Sequence, residues 1–146
     1  MESTIWRYLV VGNQTLGGSQ LLRKVRECLA ERPCSFYIVV PATPRRSQWT
    51  YTEEGAHATA RARLHDAVAR FRELGAEVDG EVGDPRPLDA IRDAFLARSF
   101  DALLLSTLPP GASRWLKMDL PARVRAEFGV PVIHLIGVEE LPLTGA

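Results

Sequence analysis

Residues 103 to 124 read LLLSTLPPGASRWLKMDLPARV, an apolar run, a turn containing Gly and Ser, and then the start of a helix. That outline is the one a phosphate-binding loop needs. A strand delivers the chain, small residues let the backbone amides converge, and a helix N-terminus adds its dipole. Ser106, Thr107, Gly111 and Ser113 supply the small polar side chains. Asp119 supplies a carboxylate where such a loop would want a small neutral hydroxyl. It either caps the coming helix, with Pro121 in the first turn, or helps to hold a metal that bridges to phosphate. No second carboxylate stands in the same stretch, which favours the cap.

A second Gly-rich turn, GNQTLGGSQLL, runs from Gly12 to Leu22. It contains no GK[ST], so it is not a Walker loop. Its glycines either cradle an anion or permit a tight turn and close packing. Hydrolytic machinery is not spelled out. There is no GxSxG elbow, and no acid is placed to orient His57, His65 or His134. His57 and His65 are eight apart, which is not the i, i+4 spacing of a helical metal pair. His134 lies inside an apolar strand and reads as a satisfied sheet residue. Arg114, Trp115 and Lys117 either clamp a ligand or form a solvated edge with one packed Trp; the second is favoured. Trp49 and Tyr51, in a long polar segment, read as a flap over a ligand or as an interface contact.

The elements that must position these residues alternate along the chain. WRYLVVG (6–12), SFYIVVP (35–41), AEVDGEV (76–82), DALLLST (101–107) and VPVIHLIGV (130–138) read as strands. The third is the least apolar and suits an edge. Between them lie helical patterns. Leu22, Val25 and Leu29 repeat behind Ser19 as N-cap. Leu64, Ala67, Val68, Phe71 and Leu74 form one stripe between His57 and Leu74. Leu88, Ile91 and Phe95 mark a third helix, and residues 119–128 a fourth. The order β-α-β-α-β-α-β-α-β predicts an α/β protein: a single doubly wound domain over residues 1–146, with a five-stranded parallel sheet and helices on both faces. In such folds ligands bind beyond the carboxyl ends of the strands, where strand order reverses, so the turns after strands one, two and four matter most.

Composition narrows the classes. The 146 residues suffice for one core, and 46% hydrophobic with 25% charged content is ordinary for a globular protein. Eighteen basic residues balance eighteen acidic ones. A neutral chain has no electrostatic reason to seek nucleic acid or an anionic membrane. Apolar runs are too short to span a bilayer and no signal peptide is read, so the expected location is cytoplasmic. Cys28 and Cys34 are six apart, matching no metal or CxxC pattern, and read as reduced thiols, with a local disulfide as the lesser alternative. PLTGA at the end is expected to fray.

Four stretches together resemble the universal stress protein family: YLVVGNQT, the long segment and helix after strand two, GDP before the third helix, and STLPPGASRWLKMDLPARVRAEFGVPV. The resemblance spans nearly the whole chain. It implies a Rossmann-like domain, similar to the adenine nucleotide alpha hydrolase group. It also implies a homodimer, commonly through the last strand. Family members that bind ATP carry G-x-x-G, about nine residues, then G-[S/T]. Here Ser106 or Thr107 stands at the first Gly, two prolines remove amide donors, and MDLP replaces the final pair. Asn13 stands at a family Asp, and Thr15 keeps the expected hydroxyl. The GNQTLGGSQ turn also faintly resembles the SGGxDS loop of ATP pyrophosphatases, with Gln20 near the Asp position.

The resemblance therefore implies a cleft lined by Gly12, Asn13, Thr15, Val40, Gly83, Ser106, Thr107, Gly111, Ser113 and Asp119. The leading expectation is a small regulatory binding protein rather than a catalyst. ATP binding would be weak or absent, and a pocket for adenosine or a smaller nucleotide could persist. Two alternatives are an ATP-binding member with slow hydrolysis and a purely protein-binding module that uses the segment around Trp49. No resident metal or obligatory cofactor is expected.

Overall fold

The computed structural model describes residues 4–43 and 53–137. Trp49, Tyr51 and the terminal PLTGA lie outside the described residues, as does the end of the 130–138 run. Five strands form: β1 (Trp6–Val11), β2 (Cys34–Pro41), β3 (Glu77–Gly83), β4 (Ala102–Thr107) and β5 (Val132–Ile136). Between them run α1 (Ser19–Glu31), α2 (Glu53–Glu73), α3 (Pro87–Ala97), and the pair α4 (Arg114–Lys117) and α5 (Leu120–Glu127). The strands order as β3-β2-β1-β4-β5, and every pairing is parallel. The order reverses between β1 and β4. The turns leaving those two strands therefore flank the crevice where ligands bind in open sheets.

Strand pleating divides the core in two. Tyr8, Val10, Phe36, Ile38 and Leu104 face α1 and α2, meeting Leu21, Val25, Ala60, Ala67 and Phe71. Leu9, Val11, Val39, Leu103 and Leu105 face α3, α4 and α5, meeting Ala90, Ile91, Trp115, Leu120 and Val124. β1, β2 and β4 are covered on both faces, which is why their sequences are continuously apolar. β3 and β5 are the edges, and the polar character of β3 matches its place. On the α3–α5 side, Arg92 bridges Glu127 of α5 and Asp89 of its own helix.

Three local expectations are corrected. Ser19 is the first residue of α1, not its cap; Gly18, extended at φ −73° and ψ 152°, holds the cap position, and the Ser19 hydroxyl donates to Gln20 instead. The fourth helix, expected over 119–128, is α5, but the turn before it contains a short helix of its own, α4, which opens where Ser113 Oγ accepts from the Leu116 amide at 3.1 Å. Asp119 sits between α4 and α5 in the left-handed region, φ 58° and ψ 38°, and its side chain accepts no hydrogen bond from the helix. A capping side chain reaches the N2 or N3 amide from an extended backbone. The left-handed turn at Asp119 leaves its carboxylate exposed instead. Both cysteines are free thiols, pushed up from their ordinary range chiefly by burial.

Candidate functional site

The crevice is built from the two chain segments that leave β1 and β4. Val11 and Leu105 are register partners, so the next residues of each strand emerge side by side. Gly12 follows β1 closely enough to β4 that an added Cβ would lie 3.4 Å from Ser106 Cβ and 2.9 Å from Leu16 Cδ2. Thr15, one turn further, and Ser106 are each 2% exposed. Their hydroxyls hydrogen-bond to each other at 2.5 Å. This bond bolts the β1–α1 connection to the end of β4 across the switch point.

Asn13 is fixed twice. Its Nδ2 donates to the Pro41 carbonyl at 2.7 Å, and its Oδ1 accepts from the Arg63 guanidinium of α2. One carboxamide thus joins the end of β1, the end of β2 and α2. Arg70, two turns along α2, donates to the Gly17 carbonyl at 3.0 Å. A shallow recess between this connection and α2, bounded by Asn13, Gln14, Gly17, Arg63 and Arg70, admits little more than one water molecule.

The turn after β4 has few amides to offer. Pro109 and Pro110 carry no N–H. The amides of Ala112 and Ser113 both donate to the Pro109 carbonyl, at 3.1 and 3.0 Å. The Leu116 amide is taken by Ser113 Oγ. Gly111 adopts φ +92°, a conformation that only Gly accepts readily, and the direction its Cβ would take is open. Thr107 is turned to the other face of the sheet. Its hydroxyl lies 3.0 Å from the Leu108 carbonyl oxygen and 2.8 Å from His134 Nε2.

The remaining expected lining residues fall in different surroundings. Val40 is fully buried in the α1/α2 core. Gly83 ends β3, and its missing side chain admits α3: an added Cβ would come within 2.9 Å of Ala90 Cβ. Asp119 stands at the start of α5, exposed. The structure therefore brings Gly12, Asn13, Thr15 and Ser106 together at the switch point. Thr107 ends β4 with its side chain on the other face, Gly111 and Ser113 lie on the adjoining turn, and Val40 and Gly83 have packing environments. Arg63 is the participant that sequence reasoning missed. Its only signal was its place on the arginine-rich face of the second helix. Trp115 is packed in the core, and Arg114 and Lys117 are exposed, as the edge reading expected.

Chemically, this arrangement offers hydroxyl, carboxamide and guanidinium groups that form hydrogen bonds at the switch point. Among the described residues, no three His, Cys, Asp or Glu side chains converge as metal ligands. Nor is any described helix long and apolar enough to cross a membrane.

No family model matches the chain, and no curated protein does. Solved structures do match. The universal stress protein from Archaeoglobus fulgidus is 18% identical, covers 88% of this chain and 92% of its own, and superposes with a TM-score of 0.60. The complex of the Archaeoglobus fulgidus protein with dAMP is also 18% identical, at 91% and 98% coverage and a TM-score of 0.58. A universal stress protein in complex with cAMP is 18% identical, at 92% and 99% coverage and a TM-score of 0.63. The chain has the fold of the universal stress proteins over nearly its whole length.

Proposed function

We propose that this protein is a regulatory binding protein of the universal stress type, whose switch-point crevice accepts an adenine nucleoside monophosphate and has lost its grip on a triphosphate. The observation that carries this reading is the hydrogen-bond accounting of the turn after β4. Two of its residues have no amide hydrogen, and two more amides donate to Pro109. A triphosphate is held by converging N–H groups, and a loop that satisfies its own donors has little to give. The Thr15–Ser106 bond closes the adjoining floor. The exposed Asp119 carboxylate adds a negative charge at the start of α5, where an anion would otherwise be favoured. That two structures of the same fold hold the monophosphates dAMP and cAMP supports the ligand class.

The same reading includes a cytoplasmic homodimer formed along β5. That strand is an open edge, and Ile136 at its end is 45% exposed. A bare apolar edge is a surface that proteins cover.

Titration of the labelled protein with AMP and with cAMP, followed by amide chemical shifts, tests the ligand class. The expected result is saturable movement at Gly12 to Thr15 and at Ser106 to Ser113. No saturable shift at about 1 mM of either ligand, an affinity weaker than about −4 kcal/mol, would overturn the reading.

A further inference from the structure

The exit of β2 has spent its backbone donors. Pro41 carries no N–H. The Ala42 amide donates to the Gly83 carbonyl at 3.1 Å, and the Thr43 amide donates to the Pro41 carbonyl at 2.7 Å. Val11 and Val39 are register partners, so Asn13 stands level with Pro41 where the chain leaves β1 and β2. The Asn13 carboxamide has two N–H groups and an oxygen with two lone pairs. The Pro41 carbonyl takes one N–H, and the Arg63 guanidinium takes one lone pair. One N–H and one lone pair are left for a ligand in the crevice, and Asn13 is only half-buried. The same two partners decide which end of the carboxamide is which. A carbonyl oxygen only accepts and a guanidinium only donates. Turning the group over would set Oδ1 against the Pro41 oxygen and Nδ2 against the Arg63 guanidinium, so two bonds would become two repulsive contacts.

Resting on the nucleotide-binding reading above, we infer that the Asn13 carboxamide reads the base of the bound nucleotide, and that Arg63, as a positioning residue, sets its choice of an amino-purine over an oxo-purine. Adenine places a ring-nitrogen acceptor beside its N6 amino donor, the pattern to which an Asn side chain is complementary. Hypoxanthine has a C6 carbonyl in place of the amino group. Its N1–H donor then stands beside an acceptor, in the reverse order, and its N7 edge offers acceptors only. A carboxamide that turns freely suits either order. One held by Pro41 and Arg63 presents a single order, and meets the wrong base donor to donor and acceptor to acceptor. Leaving such groups unpaired discriminates far better than a missing apolar contact does.

Calorimetric titration with AMP and with inosine monophosphate (IMP), which share sugar and phosphate, isolates the base. The wild type should bind AMP about tenfold or more tightly than IMP. Asn13→Asp leaves acceptors only, so the preference should disappear or reverse. Arg63→Met removes one of the two restraints and should reduce the preference about threefold or more. Arg63→Lys still donates to Asn13 and should restore it, which a loss of packing alone would not explain. Wild-type affinities within about twofold of each other, or a preference unmoved by Asn13→Asp or Arg63→Met, would overturn the assignment and leave the nucleotide reading standing. Binding of neither nucleotide would overturn both. The wild type carries a second measurement should a variant fold poorly. At equal fractional saturation, the Asn13 side-chain NH2 resonances should shift with AMP and not with IMP. Equal shifts with both, or none with AMP, would count against the proposal in the same way.

Discussion

Replacing Thr15 with Val keeps the shape of the side chain and removes its hydroxyl. The Thr15–Ser106 hydrogen bond is 2.5 Å long between groups each 2% exposed, so water cannot replace the lost partner. The variant loses a buried bond and leaves the Ser106 hydroxyl unsatisfied, at a cost of about 1–3 kcal/mol. Ser106→Ala is the mirror experiment and carries a similar cost. The double variant leaves no orphan. Its destabilisation should be well below the sum of the singles, with a coupling of about 1 kcal/mol or more. A chain of 146 residues unfolds with an entropy of about 0.3 kcal/mol/K near its midpoint, so each single should lower Tm by about 3–10 °C. Urea unfolding of the four proteins, with m-values compared, closes the cycle. Strict additivity, or singles within about 0.3 kcal/mol of wild type, would refute the idea that this bond closes the switch point.

Two further predictions concern Asp119 and the edge of the sheet. Asp119→Gly relieves a left-handed φ of 58° at a residue whose side chain makes no capping bond. It should raise stability by about 0.5–1 kcal/mol, read as a Tm increase of about 2–3 °C; a decrease would mean that the carboxylate has a structural partner. Ile136→Lys puts a charge on the exposed end of β5. Sedimentation velocity should show dimer for wild type and a shift toward monomer for the variant. A wild-type monomer at tens of micromolar, or a variant that stays fully dimeric, would contradict an interface along β5.

The fold was legible because its strongest signals are local. β1 and β2 announced themselves as short apolar runs, β4 as the most continuous one, and the weakly apolar β3 took the edge that its composition suggested. Pro87 and Leu88 open a helix that fits its period. What sequence did not carry was pairing at a distance. Thr15 meets Ser106 only because β4 inserts beside β1, and alternation of elements does not specify that order. Asn13 meets Arg63 for the same kind of reason, since α2 covers the same face of the sheet as α1. The break at Asp119 was missed because Asp before a Leu-Pro pair reads as an ordinary cap; the left-handed backbone that removes the cap is set by how α4 and α5 dock. Val40 and Gly83 were chosen from motif position, and packing decides their surroundings: one fills the core, and the other makes room for Ala90 of α3. The prolines of the turn were readable as missing donors. That Ala112 and Ser113 direct their own amides at Pro109 was visible only in three dimensions.

Calorimetric titration of one protein preparation with AMP and then with ATP and magnesium addresses the central claim most directly. If the turn after β4 has few donors to offer, the β- and γ-phosphates add little, and ATP binds no more than a few-fold more tightly than AMP. An ATP affinity tenfold or more above that of AMP, about 1.4 kcal/mol of tail binding, would contradict the account.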